Sequence, residues 1–231
     1  MAKKNKNITP LYTYDQPKST ISEKFRGIRS NIMFSNANAE ITDIIVASEK
    51  TAAGKSTIAA NIAIIYAQAG YKTLLIDGDM RKPTQHYVFD VTNNNGLSNY
   101  MLGRAMYQDA VKETFVANLF VLTSGPIPPN PSELIGSEKF KTVYQQLKQE
   151  FDFIVIDTPP VTSVTDAQLY AINVANCILV IDSEKNDKNE VKKAKELIEI
   201  SGAKVIGVVL NKMPKDKSSN YYYYYGDDSN D

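Results

Sequence analysis

A chain of 231 residues in which 26 lysines and arginines are balanced by 26 aspartates and glutamates has no overall charge to draw it onto nucleic acid or an anionic membrane. Its 43% hydrophobic content suffices for a buried core, best arranged as one compact domain. A single cysteine, Cys177, excludes a disulfide framework and fits the cytoplasm, and no apolar run reaches the roughly 18 residues of a membrane span.

Residues 1–18 are polar, with Lys3, Lys4 and Lys6 at the start and Pro10 and Pro17 further on, and they read as an extended arm. The basic start is followed by ITPLYTYDQP, not by an apolar core, so it does not read as a secretory signal. A helix is predicted next. Thr20 and Glu23 have capping-box spacing, and Ile21, Phe25, Ile28 and Ile32 form a stripe at helical intervals. From residue 43 apolar strands alternate with amphipathic stretches: strand 43–47, helix 55–69 stopped by Gly70, and strand 73–77. Further strands are predicted near 119–123, 153–157, 177–182 and 204–210, with helices near 131–149, 166–175 and 187–201. Cys177 lies in the apolar run 177–181 and reads as a buried strand residue, not as a reactive thiol. The alternation implies an α/β fold with a mainly parallel sheet and helices on both faces, spanning 19–215. Residues 216–231 form a polar, acidic tail containing Asp227, Asp228 and Asp231. In open parallel sheets the ligand sits beyond the carboxyl ends of the strands.

The motifs fall at those ends. The stretch IIVASEKTAAGKST, 44–57, is a strand running into a small-residue loop that closes where a helix begins. Small residues let the backbone wrap phosphates, and the helix start turns free N–H groups and a positive dipole end toward them. Ala53, Gly54, Lys55, Ser56 and Thr57 are therefore the candidate nucleotide cradle, with Lys55 on the β- and γ-phosphates and the Ser56 hydroxyl on Mg²⁺. Glu49 stands where G-x-x-x-x-G-K-[ST] has its first glycine, so the loop is a variant.

LLIDGDMRKP places Asp77 and Asp79 at the end of one strand, and FIVIDTPP places Asp157 equivalently. Alone, such aspartates often cap turns. Beside a phosphate loop they suit Mg²⁺, which prefers oxygen ligands, with Ser56, Asp77 and Asp157 as its candidate ligands. Asp77 or Asp79 would orient or deprotonate an attacking hydroxyl, which makes Lys55, Asp77, Asp79 and Asp157 the candidate catalytic set. Arg81 and Lys82 either meet phosphate oxygens or an acidic surface, or stay solvated. Asn211, at the end of VVLNKMP, is placed to face the base; Pro214 stands where a guanine-selective N-K-x-D pattern needs aspartate, so ATP is expected.

Taken together, AAGKST, LLIDGDMRKP, FIVIDTPP and GPIPPNPSEL, in this order, resemble the Walker A motif, the second Walker motif, the Walker B motif and a further signature of the bacterial tyrosine kinases. The resemblance covers nearly the whole chain. It implies a P-loop NTPase fold of the MinD/ParA type and an ATP- and Mg²⁺-dependent protein-tyrosine kinase. Glu23, Arg26 and Arg29 match the family's E-x-x-R-x-x-R helix, which implies a homo-oligomeric ring; without the resemblance they read as a capping glutamate and two solvated arginines. Tyr221, Tyr222, Tyr223, Tyr224 and Tyr225 look like phosphoacceptors, modified in trans within the ring. The ten residues from Asn211 to Tyr221 extend at most about 35 Å, so reach permits a neighbour's site or the chain's own. The chain is most similar to the short, separate cytoplasmic form found in Gram-positive bacteria. That implies a transmembrane activator whose cytoplasmic tail stimulates the kinase, attachment to the inner face of the membrane through it, protein substrates in capsular polysaccharide synthesis, a cognate tyrosine phosphatase, and no nucleic acid.

Family loops read Pro-Gly-x-Gly-Lys, whereas Thr51-Ala52-Ala53 precede Gly54 here. A positive φ at position 52 would strain alanine by about 1–2 kcal/mol. The rival from another class is a partitioning or division-site switch ATPase, because Lys50 lies five positions before Lys55 as that group's signature lysine does. Thr51 and Ala52 replace its glycines, and the chain closes on tyrosines and aspartates, not on an amphipathic membrane helix. A silent scaffold is the third reading, if the altered loop cannot hold ATP.

Overall fold

The computed structural model describes residues 9–36 and 40–214; the segment with Tyr221–Tyr225 lies outside them. Short apolar, β-branched runs make the sheet: β1 (Asp43–Ser48), β2 (Thr73–Asp77), β3 (Val111–Glu113), β4 (Leu119–Leu122), β5 (Phe153–Asp157), β6 (Asn176–Asp182) and β7 (Lys204–Asn211). Their order is β3-β4-β2-β5-β1-β6-β7, parallel throughout except for β3, which pairs antiparallel with β4 at the edge. Every residue of β1, β2 and β5 is buried, which is why these strands read as unbroken apolar runs.

Helices cover both faces. On one lie α1 (Tyr12–Asp15), α2 (Thr20–Phe34) and α3 (Lys55–Gln68), packed on Ile44, Val46, Leu75 and Val155. On the other lie α7 (Pro131–Ile135), α8 (Glu138–Glu150), α9 (Asp166–Ala171) and α10 (Lys188–Ile200), around Ile45, Ala47, Ile76 and Ile156. The period-2 alternation of the strand side chains thus divides one sheet between two cores. Every residue of α3 from Ile58 to Ala67 is buried; Ala59, Ala60 and Ala63 let it lie close to the sheet, and Tyr66 stacks on Phe153 at 3.6 Å. Cys177 is fully buried in β6, and burial pushes its thiol up, out of the reactive range.

Several local expectations need correction. The arm is not extended from residue 9 onward: Leu11 is buried, α1 forms, and Thr13 donates to Asn61 Oδ1 through both its N–H and its hydroxyl at 2.9 Å each. The cap of α2 is Ser19, not Thr20, with its side chain accepting from Ser22 N; Glu23 is left to pair with Arg26. The single helix expected over 131–149 is broken by Gly136 and the extended Ser137 into α7 and α8. The short elements α4 (Gln85–Val88), α5 (Leu97–Met101), α6 (Tyr107–Ala110) and β3 were not foreseen.

Candidate active site

The loop after β1 passes Glu49–Ala53 and enters α3 at Gly54, whose φ of 96° puts it in the left-handed region. A side chain at Gly54 would meet Asn211 Nδ2 at 2.1 Å, so only glycine fits there. Ala52 also has positive φ, 61°, a conformation that costs a Cβ-bearing residue about 1–2 kcal/mol. Its carbonyl is held in return: Lys212 Nζ donates to Ala52 O at 2.6 Å and pairs with Asp182 Oδ2 at 2.8 Å. Asn211 Nδ2 donates to Ala53 O at 2.9 Å. The ends of β6 and β7 therefore brace the loop from the side.

Lys55 begins α3 and is largely buried; its Nζ lies 3.8 Å from Asp79 Oδ2 and 3.9 Å from Asp157 Oδ1. The Ser56 hydroxyl lies close enough to Asp157 to favour its charged form. Asp77 and Asp157 are register partners in adjacent parallel strands, and both are fully buried. Asp77 Oδ2 accepts from Thr84 N and Gln85 N, both at 2.9 Å, while Asp77 Oδ1 and Asp157 Oδ1 are buried without a hydrogen bond, the latter facing only the Lys55 ammonium. Burial, reinforced by the neighbouring Asp157, holds the Asp77 carboxyl well above the ordinary carboxylate range. Burial also raises Asp157, against the opposing pull of Lys55, the Ser56 hydroxyl and the hydrogen bond from Gln85.

Asp79 lies on the loop after β2. Its Oδ1 accepts from Arg81 N at 3.2 Å and Lys82 N at 3.0 Å, which turns Oδ2 to Lys55. Arg81 does not face the cradle: its guanidinium makes two bonds to the buried Asp166, at 2.9 and 3.1 Å, and one to Ser132 Oγ at 2.9 Å. This fork ties the loop to the starts of α9 and α7, and Tyr170 of α9 adds a bond from its hydroxyl to Gly78 O at 3.1 Å. Lys50 is half-exposed and pairs with the buried Glu49 at 3.6 Å.

The structure thus brings Ala53, Gly54, Lys55, Ser56, Thr57, Asp77, Asp79, Asp157 and Asn211 to one end of the sheet. It leaves Glu23, Arg26 and Arg29 on α2, where Arg26 also donates to Pro17 O at 2.7 Å and Arg29 Nη1 reaches Ile65 O at 3.4 Å. Sequence reasoning missed Gln85, Asp166, Asp182 and Lys212, each of which has a side-chain partner distant along the chain. Only the proximity of Lys212 to Asn211 offered a signal.

The residues fit a nucleotide with a divalent cation. An ammonium, a hydroxyl and two carboxylate oxygens free of hydrogen bonds converge beside a positive-φ loop at a helix start, the donor set that oxygen-preferring Mg²⁺ and phosphate demand. Among the described residues no cluster of three or more acidic, histidine or cysteine ligands is preformed, in keeping with a cation that arrives with phosphate oxygens and water.

The ParA family model, described as "NUBPL iron-transfer P-loop NTPase", matches residues 40–228. The chain is 67% identical to the putative tyrosine-protein kinase CapB of Staphylococcus aureus over 228 residues, 99% of this chain and 100% of that one. It is 40% identical to the tyrosine-protein kinase YwqD of Bacillus subtilis (strain 168), covering 89% of this chain and 87% of that one. The crystal structure of the chimerical protein CapA2B2 superposes with a TM-score of 0.86 at 58% identity, covering 90% of this chain and 93% of that one. The septum site-determining protein MinD of Pyrococcus horikoshii OT3, complexed with Mg-ADP, gives 0.65 at 25% identity over 78% of this chain and 76% of that one. The chain belongs to the ParA-like P-loop NTPases and, within them, to the bacterial tyrosine-protein kinases.

Proposed function

We propose that this site transfers the γ-phosphoryl group of ATP to tyrosine hydroxyls, those of Tyr221–Tyr225 on a neighbouring chain among them. One observation carries the reading: Lys55 Nζ lies between Asp79 and Asp157 at the mouth of the cradle, beside two buried strand-end carboxylates that each keep one oxygen free of hydrogen bonds. A bound Mg²⁺ would supply neutralisation of the charge that develops on the phosphates. The chain's own part is binding and placement. Backbone N–H groups of Gly54–Thr57 hold phosphate oxygens, and Lys55 neutralises them. Ser56, Asp77 and Asp157 are the cation's ligands, and Asn211 stands at the edge of the cradle on the base side. Asp77 or Asp79 orients the incoming hydroxyl and receives its proton. Phosphoryl transfer asks little covalent chemistry of a protein, so most of the acceleration comes from this placement and charge neutralisation.

The family resemblance supports the rest of the reading. Glu23, Arg26 and Arg29 on α2 form the contact between subunits of a ring. A transmembrane activator stimulates the kinase through its cytoplasmic tail and keeps it at the inner face of the membrane; among the described residues no helix is long and apolar enough to cross by itself. The output is control of capsular polysaccharide synthesis, with a cognate phosphatase to reverse it. Each phosphotyrosine adds about −1.5 to −2 charges, so several on one acidic tail repel their surroundings and loosen the ring.

The test is incubation of the purified chain with ATP and Mg²⁺, with and without the activator tail, followed by intact and peptide mass measurement. Phosphate on Tyr221–Tyr225 that disappears in Lys55→Met supports the kinase. Hydrolysis of ATP with no phosphotyrosine under either condition assigns the chain to the switch ATPases instead.

A further inference from the structure

Gln85 is the first residue of α4, in a loop-rich stretch that carries no motif, yet it is fully buried and touches every component of the cation site. Its backbone N–H donates to Asp77 Oδ2 at 2.9 Å. Its side-chain Nε2 donates to Asp157 Oδ2 at 2.9 Å and to the carbonyl of Ser56 at 3.2 Å. The amide has one workable orientation, because the Ser56 carbonyl only accepts. Its Oε1 then remains, buried and without a hydrogen bond, as do Asp77 Oδ1 and Asp157 Oδ1, of which only the last faces an ammonium, Lys55 Nζ at 3.9 Å. Three buried acceptors without hydrogen bonds are costly unless a donor or a cation arrives there.

We infer that Gln85 is a positioning residue for the cation. By occupying Oδ2 of both aspartates it turns both Oδ1 atoms to the cation, and it offers Oε1 to a water in the cation's shell. It also fixes the Ser56 backbone, and so the hydroxyl that completes the ligand set. No other single residue bonds to Asp77, Asp157 and Ser56 together among the described residues. The inference rests on the site reading proposed above and adds to it the residue that sets the geometry of its ligands.

Gln85→Met keeps the volume of the side chain and removes its donor and acceptor. Titration of Mg²⁺ into the complex with ADP, followed by calorimetry, should show metal affinity about 10–100-fold weaker than in the parent, the range for losing an outer partner of a metal ligand. ADP affinity in the presence of a chelator should stay within about twofold, since the cradle is intact. In turnover assays the Mg²⁺ concentration for half-maximal rate rises, and kcat at saturating Mg²⁺ recovers most of the parent value. Metal affinity in Gln85→Met within twofold of the parent overturns the inference. Should that variant fail to fold, the parent protein supplies the measurement: the side-chain amide resonances of Gln85 shift when Mg²⁺ is added to the ADP complex, and unmoved resonances overturn the inference equally. Asp157→Asn serves as the separate control. If it too leaves Mg²⁺ affinity unchanged, the site reading itself has failed; if it weakens Mg²⁺ binding while Gln85→Met does not, only the role of Gln85 has.

Discussion

The two ends of the sheet hold buried aspartates in opposite ways. At the amino-terminal end Asp43 opens β1 with its Oδ2 occupied twice, by the Tyr144 hydroxyl at 2.8 Å and by Lys148 Nζ at 2.6 Å. At the carboxyl-terminal end Asp77 and Asp157, just as buried, each keep an oxygen with no hydrogen bond. A buried acid tied down by a hydroxyl and an ammonium helps hold the fold. Hydrogen bonding thus distinguishes the two sets of aspartates, where burial cannot.

The sharpest way to break the contrast is to exchange consequences between the ends. Asp157→Asn should lower kcat by about 10²–10³-fold, the loss seen when one preorganised charge-stabilising group is removed. Its melting temperature should hold or rise, because a carboxyl kept protonation-prone by burial has gone. Steady-state kinetics and thermal melts on one sample check both. Asp43→Ala should do the reverse. It strands the Tyr144 hydroxyl and frees the half-exposed Lys148, which costs about 1.5–3 kcal/mol. For a domain of this size that is a fall of about 3–10 °C, with kcat per folded molecule unchanged.

A third prediction concerns the brace on the cradle. Asp182 sits below its ordinary value, first because Lys212 donates to its carboxylate and further because Glu184 N and Lys185 N do. A carboxyl depressed in the folded state contributes stability that is fully present above the unfolded value and is lost as pH falls through the folded one. The melting temperatures of the parent and Lys212→Met should therefore differ near neutral pH and converge in acid below the ordinary carboxylate range. A gap that persists unchanged in acid would remove the ion pair from the account. The smallest effect is expected at the left-handed loop position. Ala52→Gly relieves about 1–2 kcal/mol of backbone strain and returns part of it as chain entropy, for a net stabilisation of about 0.5–1 kcal/mol. Denaturant melts with a fitted slope resolve that difference.

The sequence disclosed what repetition and spacing encode. Six of the strands are apolar runs bounded by turns, and the phosphate loop and strand-end aspartates announce themselves by residue type and order. β3 was hidden because it is three residues long and includes Lys112 and Glu113, so neither periodicity nor hydropathy marks it. The stretch from α4 to α6 is held by distant bonds such as Asn93 Nδ2 to Gly125 O at 3.1 Å and Leu97 N to Thr123 O at 2.7 Å, which no local pattern encodes. The break at Gly136 was concealed by helical composition on either side of it. Gln85 escaped for a more general reason: one glutamine after a turn has no signature, and its importance comes from what strands far along the chain bring beside it. The strain at Ala52 was readable as a condition on backbone angle, but its remedy, the Lys212 ammonium on the same residue's carbonyl, needed three dimensions.

The pairing of Asp77 with Asp157 across β2 and β5 has one more consequence. Their separation is the spacing of neighbouring strands, about 4.8 Å, fixed by a ladder of backbone hydrogen bonds at the centre of the sheet. Gly78 tightens that join, since any side chain there would press on the Asp157 carbonyl at 2.8 Å. A gauge cut into the backbone does not drift when helices slide or subunits exchange. Changes in the surroundings reach this centre through the parts outside the sheet, Lys55 at the start of α3, Asp79 and the cradle itself, while the interval between the two strand-end acids stays constant.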